Sequence, residues 1–319
     1  MSSWLSGYAY RKKITISGST GAGTGYQVKL LLGESSGASG EDFDLENHCL
    51  NFPNDLRFTN NDGTTLLDHW LEDTSGTTPN RLITLWIEIT DSLESDVDIY
   101  CYYGKAGDSS ASNGTNTFEF FDDFDTGTVP DPTKWTKLTG SPSISGGVLT
   151  LTSSLIRSLT TYSYNTAVRS RTDPISWSEN RGLLIPGYAN GVFGESGTEG
   201  AYSYFWALLT SITCRAKTGG SQTTVVAAVS GSADFAIREE IRNGTTQVIY
   251  SEPGATPSSY TIATNIPTGL IEVQLGTENG SSEQVDWVLV RKYASPEPSF
   301  YSVGNEEIIM SHSWGCIIL

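Results

Sequence analysis

At 319 residues the chain is long enough for two ordinary domains, each with its own core. It carries 36 acidic against 19 basic residues, a formal net charge of −17, and such a field repels nucleic-acid phosphates and anionic lipid alike. With 33 glycines, 15 tyrosines and 8 tryptophans, and no long Ala/Glu/Lys/Leu runs, the composition points to an all-β chain of short strands and tight turns.

The opening M-S-S-W-L-S-G-Y-A-Y-R-K-K has no apolar h-region, so no signal peptide is expected, and no later apolar run is long enough to span a bilayer. Strand alternation then begins: Tyr26, Val28, Leu30 and Leu32 share one face, with Gln27 and Lys29 opposite. Asp42, Asp44 and Glu46 follow in a loop-like stretch. Their hard oxygens could hold Ca²⁺, although ordinary loop acidity accounts for them; no other cofactor is expected. Turn signals at Asn61-Asp62-Gly63 and Ser75-Gly76 precede Ile83, Leu85, Ile87 and Ile89, again on one face.

Glu94, Asp96 and Asp98 form the nearest approach to the E-x-D-x-E strand of retaining glycosidases. The last acid is the shorter aspartate and the run lies in the first half, so a solvated outer face is expected. Next, Val97, Ile99, Cys101 and Tyr103 alternate, which makes Cys101 a small core residue rather than half of a disulfide. The cysteines (Cys49, Cys101, Cys214, Cys316) and histidines (His48, His69, His312) are too scattered for a zinc site. No serine-hydrolase elbow and no nucleotide-binding glycine loop is present in a usable context.

A polar stretch from Asp108 to Asn116 reads as a cleavage-prone seam, and the domain boundary is placed near residue 119. Beyond Trp135 the alternation resumes. Arg169 and Arg171 share one face of a strand, while Tyr202, Tyr204 and Trp206 take alternate positions of another. Sugar rings stack their C–H faces on aromatics, and hydroxyls seek guanidinium groups. If the two strands are neighbours, these five residues line one ligand-binding surface; otherwise the aromatics fill the space between sheets. Asn243-Gly244 is the strongest hairpin signal. In the C-terminal run Glu306 to Leu319, Ile308, Ile309, Trp314 and Ile317 are expected to pack against the domain or a neighbouring subunit. The closing Cys316-Ile317-Ile318-Leu319 fits a prenylation signal formally, and chance is the preferred account.

The segments W-L-S-G-Y-A-Y-R-K-K-I-T-I (Trp4 to Ile16), N-D-L-R-F-T-N-N-D-G-T-T-L-L-D-H-W (Asn54 to Trp70), L-W-I-E-I and I-Y-C-Y-Y-G resemble the family called domain of unknown function 2341. That family is found in archaeal and bacterial surface proteins and in viral genomes. F-F-D-D-F-D, the tryptophan of P-T-K-W, G-G-V-L-T-L and V-D-W-V-L-V-R-K-Y resemble a concanavalin A-like lectin/glucanase jelly roll. Two β-sandwich domains in tandem are therefore expected, 1–118 and 119–305, followed by an apolar tail over 306–319. Neither resemblance fixes a reaction. The family context implies a surface location, and with the aromatic strand and the absence of an intact acid pair the expected role is a non-enzymatic adhesion or receptor-binding protein of a virion or cell surface that recognises glycans, with no catalytic residue. Its expected partners are glycans or a cell-surface receptor, copies of itself and other virion or surface proteins, with no nucleic acid and no membrane insertion. Two alternatives stand beside it: a structural subunit of a fibre, spike or capsid decoration, and a glycoside hydrolase with an atypical carboxylate pair.

Overall fold

The computed structural model describes residues 3–309 except 38–39, 164, 175–183, 186–201, 209–210, 219–220, 229–235, 244–245, 253–257, 267–269 and 278–281. In several strands between 202 and 262 the description is of the backbone. The described chain is all-β apart from one helical turn, Gly114–Thr117. It divides into two units, Met1–Phe118 with Ala294–Leu319, and Glu119–Tyr293. Residues 294–305, expected in the second domain, therefore group with the first. The cause is strand pairing: Ser299–Val303 adds antiparallel to Tyr10–Ser17, with Ile14 opposite Val303 and Ile16 opposite Phe300.

In the first unit one sheet runs Ser299–Val303, Tyr10–Ser17, Val97–Tyr103, Arg57–Asn60, Leu66–Leu67, with Glu307–Ile308 also on Tyr10–Ser17. The other runs Phe43–Asp44, Tyr26–Gly33, Leu82–Ile89, His69–Ser75. Alternation turns Ile14, Ile16, Ile99 and Cys101 of the first sheet toward Val28, Leu30, Leu85 and Ile87 of the second, and all are buried in one cluster. Each large aliphatic side chain buried this way contributes about 1.5–3 kcal/mol. Cys101 is a fully buried free thiol, a core residue.

The segment from Asp108 to Asn116 is not the loose seam its composition suggests. Asp108 accepts a hydrogen bond from the Tyr8 hydroxyl and pairs with Arg57 at 3.1 Å. Arg57 also donates to the Ser109 carbonyl, and Ser112 Oγ accepts from the Leu71 amide. Asn113 caps the helical turn by accepting from the Asn116 amide. Small polar residues here fasten the chain. Limited proteolysis of the native protein should therefore spare 108–116; a first cut inside it would contradict this anchoring.

The start of the C-terminal run is ordered by polar contacts rather than by apolar packing. Glu307 pairs with Arg11 at 2.7 Å, while Glu306 accepts from the Tyr103 hydroxyl and sits 2.8 Å from His48 Nδ1. The Ile309 amide donates to the Ala9 carbonyl. Ile308 and Ile309 are 60% and 46% exposed, against the expectation that they pack on protein. Backbone pairing on Tyr10–Ser17 holds this stretch without burying them. Trp314, Cys316 and Ile317 lie outside the described residues.

The second unit is a sandwich of a seven- and an eight-stranded sheet. The seven run Trp135–Thr139, Leu155–Tyr162, Ile271–Gly276, Leu184–Ile185, Tyr202–Leu208, Ser211–Thr218, Ser221–Ala228. The eight run Ser143–Ser145, Val148–Thr152, Ser282–Lys292, Thr166–Pro174, Ala236–Asn243, Thr246–Glu252, Ser258–Ile262, with Phe120–Asp122 also on Ser282–Lys292. Early and late strands thus meet in mid-sheet, as the crossings of a jelly roll require. Ile156, Val273 and Leu275 from the first sheet pack with Leu149, Val168, Val288 and Val290 from the second. The hairpin expected at Asn243-Gly244 joins two paired strands, whose register closes at Asn243 opposite Thr246. Among the described residues no helix is long and apolar enough to cross a membrane.

Candidate functional site

The two arginines expected in the ligand surface do not meet the aromatic strand. Thr166–Pro174 lies between Ala236–Asn243 and Ser282–Lys292 in the eight-stranded sheet, whereas Tyr202–Leu208 lies in the seven-stranded one. Arg169 and Arg171 alternate with Val168, a core residue, so they face outward from their own sheet. Arg169 is buried and lies 3.3 Å from Glu239, whose other oxygen accepts from Arg291 Nε at 2.7 Å. This Arg–Glu–Arg triad is committed to the fold. Arg171 is half-exposed and pairs with Asp286 at 2.8 Å. Asp286 is the extra residue where the register shifts, Arg171 facing Trp287 and Thr172 facing Val285.

The side chains of Tyr202, Tyr204 and Trp206 lie outside the described residues, but the register of their strand is defined. Tyr204 pairs with Leu184 on one side and Arg215 on the other. Leu184 pairs in turn with Gln274, and Gln274 with Arg157. Directly paired residues share a sheet face. Arg157 and Gln274 alternate with Ile156, Val273 and Leu275, which belong to the core, so their end of the row turns away from it. By register, Leu184, Tyr204 and Arg215 continue that row.

Two further polar side chains complete this face, and neither they nor Arg157 are among the residues expected from the sequence. Gln274 is fully buried, and neither its Nε2 nor its Oε1 has a hydrogen-bond partner among the described residues. Glu272, two residues away on the same face, has its Oε2 3.7 Å from Arg157 Nη1, too far for a hydrogen bond. The arrangement sets a buried donor and acceptor beside a carboxylate and a guanidinium. The signal lies in I-E-V-Q-L, where polar and apolar residues alternate.

The carboxylates that come nearest to a glycosidase strand are occupied elsewhere. Glu94 accepts from the Gly21 and Gly23 amides, and Asp96 from the Gly18 amide. Asp98 accepts from Lys13 Nζ and Thr15 Oγ1, both at 2.7 Å. Burial works against its ionisation, yet these two donors hold its carboxyl below the usual carboxylate range. In the loop considered for Ca²⁺, Asp42 accepts from the Leu31 amide, Asp44 from the Glu46 amide, and Glu46 pairs with Lys12 at 2.9 Å. Among the described residues no three His, Cys, Asp or Glu side chains gather as a metal site.

Several solved structures align with about half of the chain at low identity. A prokaryotic β-1,3-1,4-glucanase (lichenase) derived from a mouse hindgut metagenome aligns at 15% identity and a TM-score of 0.42, over 54% of this chain and 98% of its own. LamAcat from Zobellia galactanivorans aligns at 14% identity and a TM-score of 0.43, over 56% of this chain and 100% of its own. The Bacillus licheniformis β-glucanase aligns at 16% identity and a TM-score of 0.39, over 54% of this chain and 97% of its own. No curated protein matches the sequence. Residues 53–138 match the family model described as Domain of unknown function (DUF2341), a match that begins after the Trp4 to Ile16 segment and carries no activity with it.

Proposed function

We propose that the protein is a non-enzymatic glycan-recognition module, and that its ligand face is the outward side of the seven-stranded sheet in the second unit. The observation that carries this reading is the cross-strand row of Arg157, Gln274, Leu184, Tyr204 and Arg215, with a Gln274 amide that has no partner among the described residues. Sugars offer hydroxyls to amides, carboxylates and guanidinium groups, and C–H faces to aromatic rings; binding sites combine a few such polar groups with apolar walls. Tyr202 and Trp206 flank Tyr204 at the alternate positions of its strand. Arg169 and Arg171 have no part in this site. An adhesion or receptor-binding role at a virion or cell surface follows if several copies act together, since multivalency raises avidity by roughly 10²–10⁴ over a weak single site.

A second reading, a structural subunit of a fibre, spike or capsid decoration, draws on a different observation. Tyr301, on the edge strand Ser299–Val303, is 69% exposed, a feature suited to pairing with another chain. A glycan array probed with the full chain and its Trp206→Ala variant separates the two. The glycan reading expects binding by the parent and its loss in the variant, with melting temperature little changed. No binding by the parent would favour the structural subunit, and a large drop in melting temperature would place Trp206 in packing instead.

A further inference from the structure

We infer that Gln274 is the residue that reads the ligand on this face, and that it selects an uncharged sugar presenting a donor and an acceptor side by side. The inference rests on the glycan reading above and narrows it to a ligand class.

Gln274 is the starting point. Its strand neighbours Val273 and Leu275 fill the core, and a leucine or methionine in its place would satisfy the outward face with no orphaned atom. Instead the fold closes an amide away from water with both polar atoms unpaired among the described residues. Buried side-chain amides are normally satisfied by protein or water, so an orphan of this kind marks a place where a bound group, a water or the ligand hydroxyl that displaces it, completes the bonding. Nε2 can only donate and Oε1 can only accept. The complementary ligand edge therefore carries an acceptor next to a donor, as a pair of vicinal hydroxyls does, or an acetamido carbonyl beside a neighbouring ring hydroxyl.

Charge argues for the uncharged class. Arg157 and Glu272 face each other across 3.7 Å and cancel, so the charge beside Gln274 sums to zero; Arg215 lies three strands away along the row, about 14 Å at the usual strand spacing. A uronate or sialate carboxylate would approach Glu272 within a molecule of net charge −17. On this reading the ligand approaches past Arg157, whose side chain is 30% exposed and lies too far from Glu272 for a hydrogen bond.

The test uses the full chain, its Gln274→Leu and Gln274→Glu variants, and three sets of oligosaccharides: N-acetylhexosamine, neutral hexose, and uronate- or sialate-bearing. The parent should bind one of the two uncharged sets at least about tenfold more tightly than the acidic set, and which one it prefers tells the acetamido group from the diol. Gln274→Leu should lose at least about tenfold in affinity while its melting temperature stays level or rises. Gln274→Glu, which keeps the shape but replaces the donor with charge beside Glu272, should lose as much. A parent that binds none of the three sets refutes the glycan reading itself. A parent that binds while Gln274→Leu binds equally well, or that prefers acidic sugars, leaves that reading standing and overturns this inference. A lower melting temperature for Gln274→Leu also overturns it, because the amide would then be serving the fold.

Discussion

Replacing Glu239 with alanine should destabilise the second unit by about 3–5 kcal/mol, the range found when one partner of a buried ion pair is removed. Glu239 accepts from Arg291 Nε at 2.7 Å and lies 3.3 Å from Arg169 Nη1, and all three side chains are buried. Without the carboxylate, two guanidinium groups would share one closed space with less charge to balance them. Arg171→Ala provides the control. It lies two residues along the same strand face, but its pair with Asp286 is half-exposed, so its loss should cost about 0–1 kcal/mol. Urea unfolding of the two variants measures both values. A Glu239→Ala protein within about 1 kcal/mol of the parent would remove the triad from the list of anchors. Exchanging all three triad residues for apolar side chains of similar volume should be less harmful than the single change, because the charges that oppose one another within the triad are then removed together.

This triad also shows what the sequence could and could not disclose. Alternation correctly puts Arg169 and Arg171 on one face, because period two is a property of the strand alone. Which strand lies beside them depends on pairings between distant segments. Glu239 lies 70 residues beyond Arg169 and Arg291 further still, and nothing local to Arg169 announces either. The same limit explains the C-terminal run. The pair Ile308-Ile309 looks like a buried patch, but the stretch is held by Glu307 on Arg11 and by Glu306 near His48 and Tyr103. Cys101 was legible because its own strand alternates cleanly into the core. Gln274 is an intermediate case. Its face follows from I-E-V-Q-L, whereas its unpaired amide is a matter of three-dimensional surroundings.

Lowering the pH from about 6.5 to about 4 should cost the first unit roughly 3 kcal/mol through His69 alone. His69 opens the strand His69–Ser75, is buried, and packs edge-on against Phe58 with 5.1 Å between ring centroids. Burial, helped by the positive charge of Arg57, pushes its imidazole down to about 4 from an ordinary value of 6.5. In the unfolded chain the ring takes up a proton near 6.5, whereas the folded protein resists until about 4. Between those values the unfolded state binds more protons, so stability falls as pH falls. The full contribution is present above 6.5 and is gone below about 4. Other groups act nearby: Glu34, held low by Arg81, loses stabilisation at still lower pH, while burial raises Glu41 and Asp42 and makes them work in the opposite sense. A His69→Phe variant isolates the effect, keeping an aromatic ring against Phe58 without a titrating group. Its unfolding free energy, measured in urea at about pH 7, pH 5.5 and pH 4.2, should fall less steeply than the parent's by most of those roughly 3 kcal/mol. Parallel pH profiles for the two proteins would mean that His69 is not held neutral by the fold.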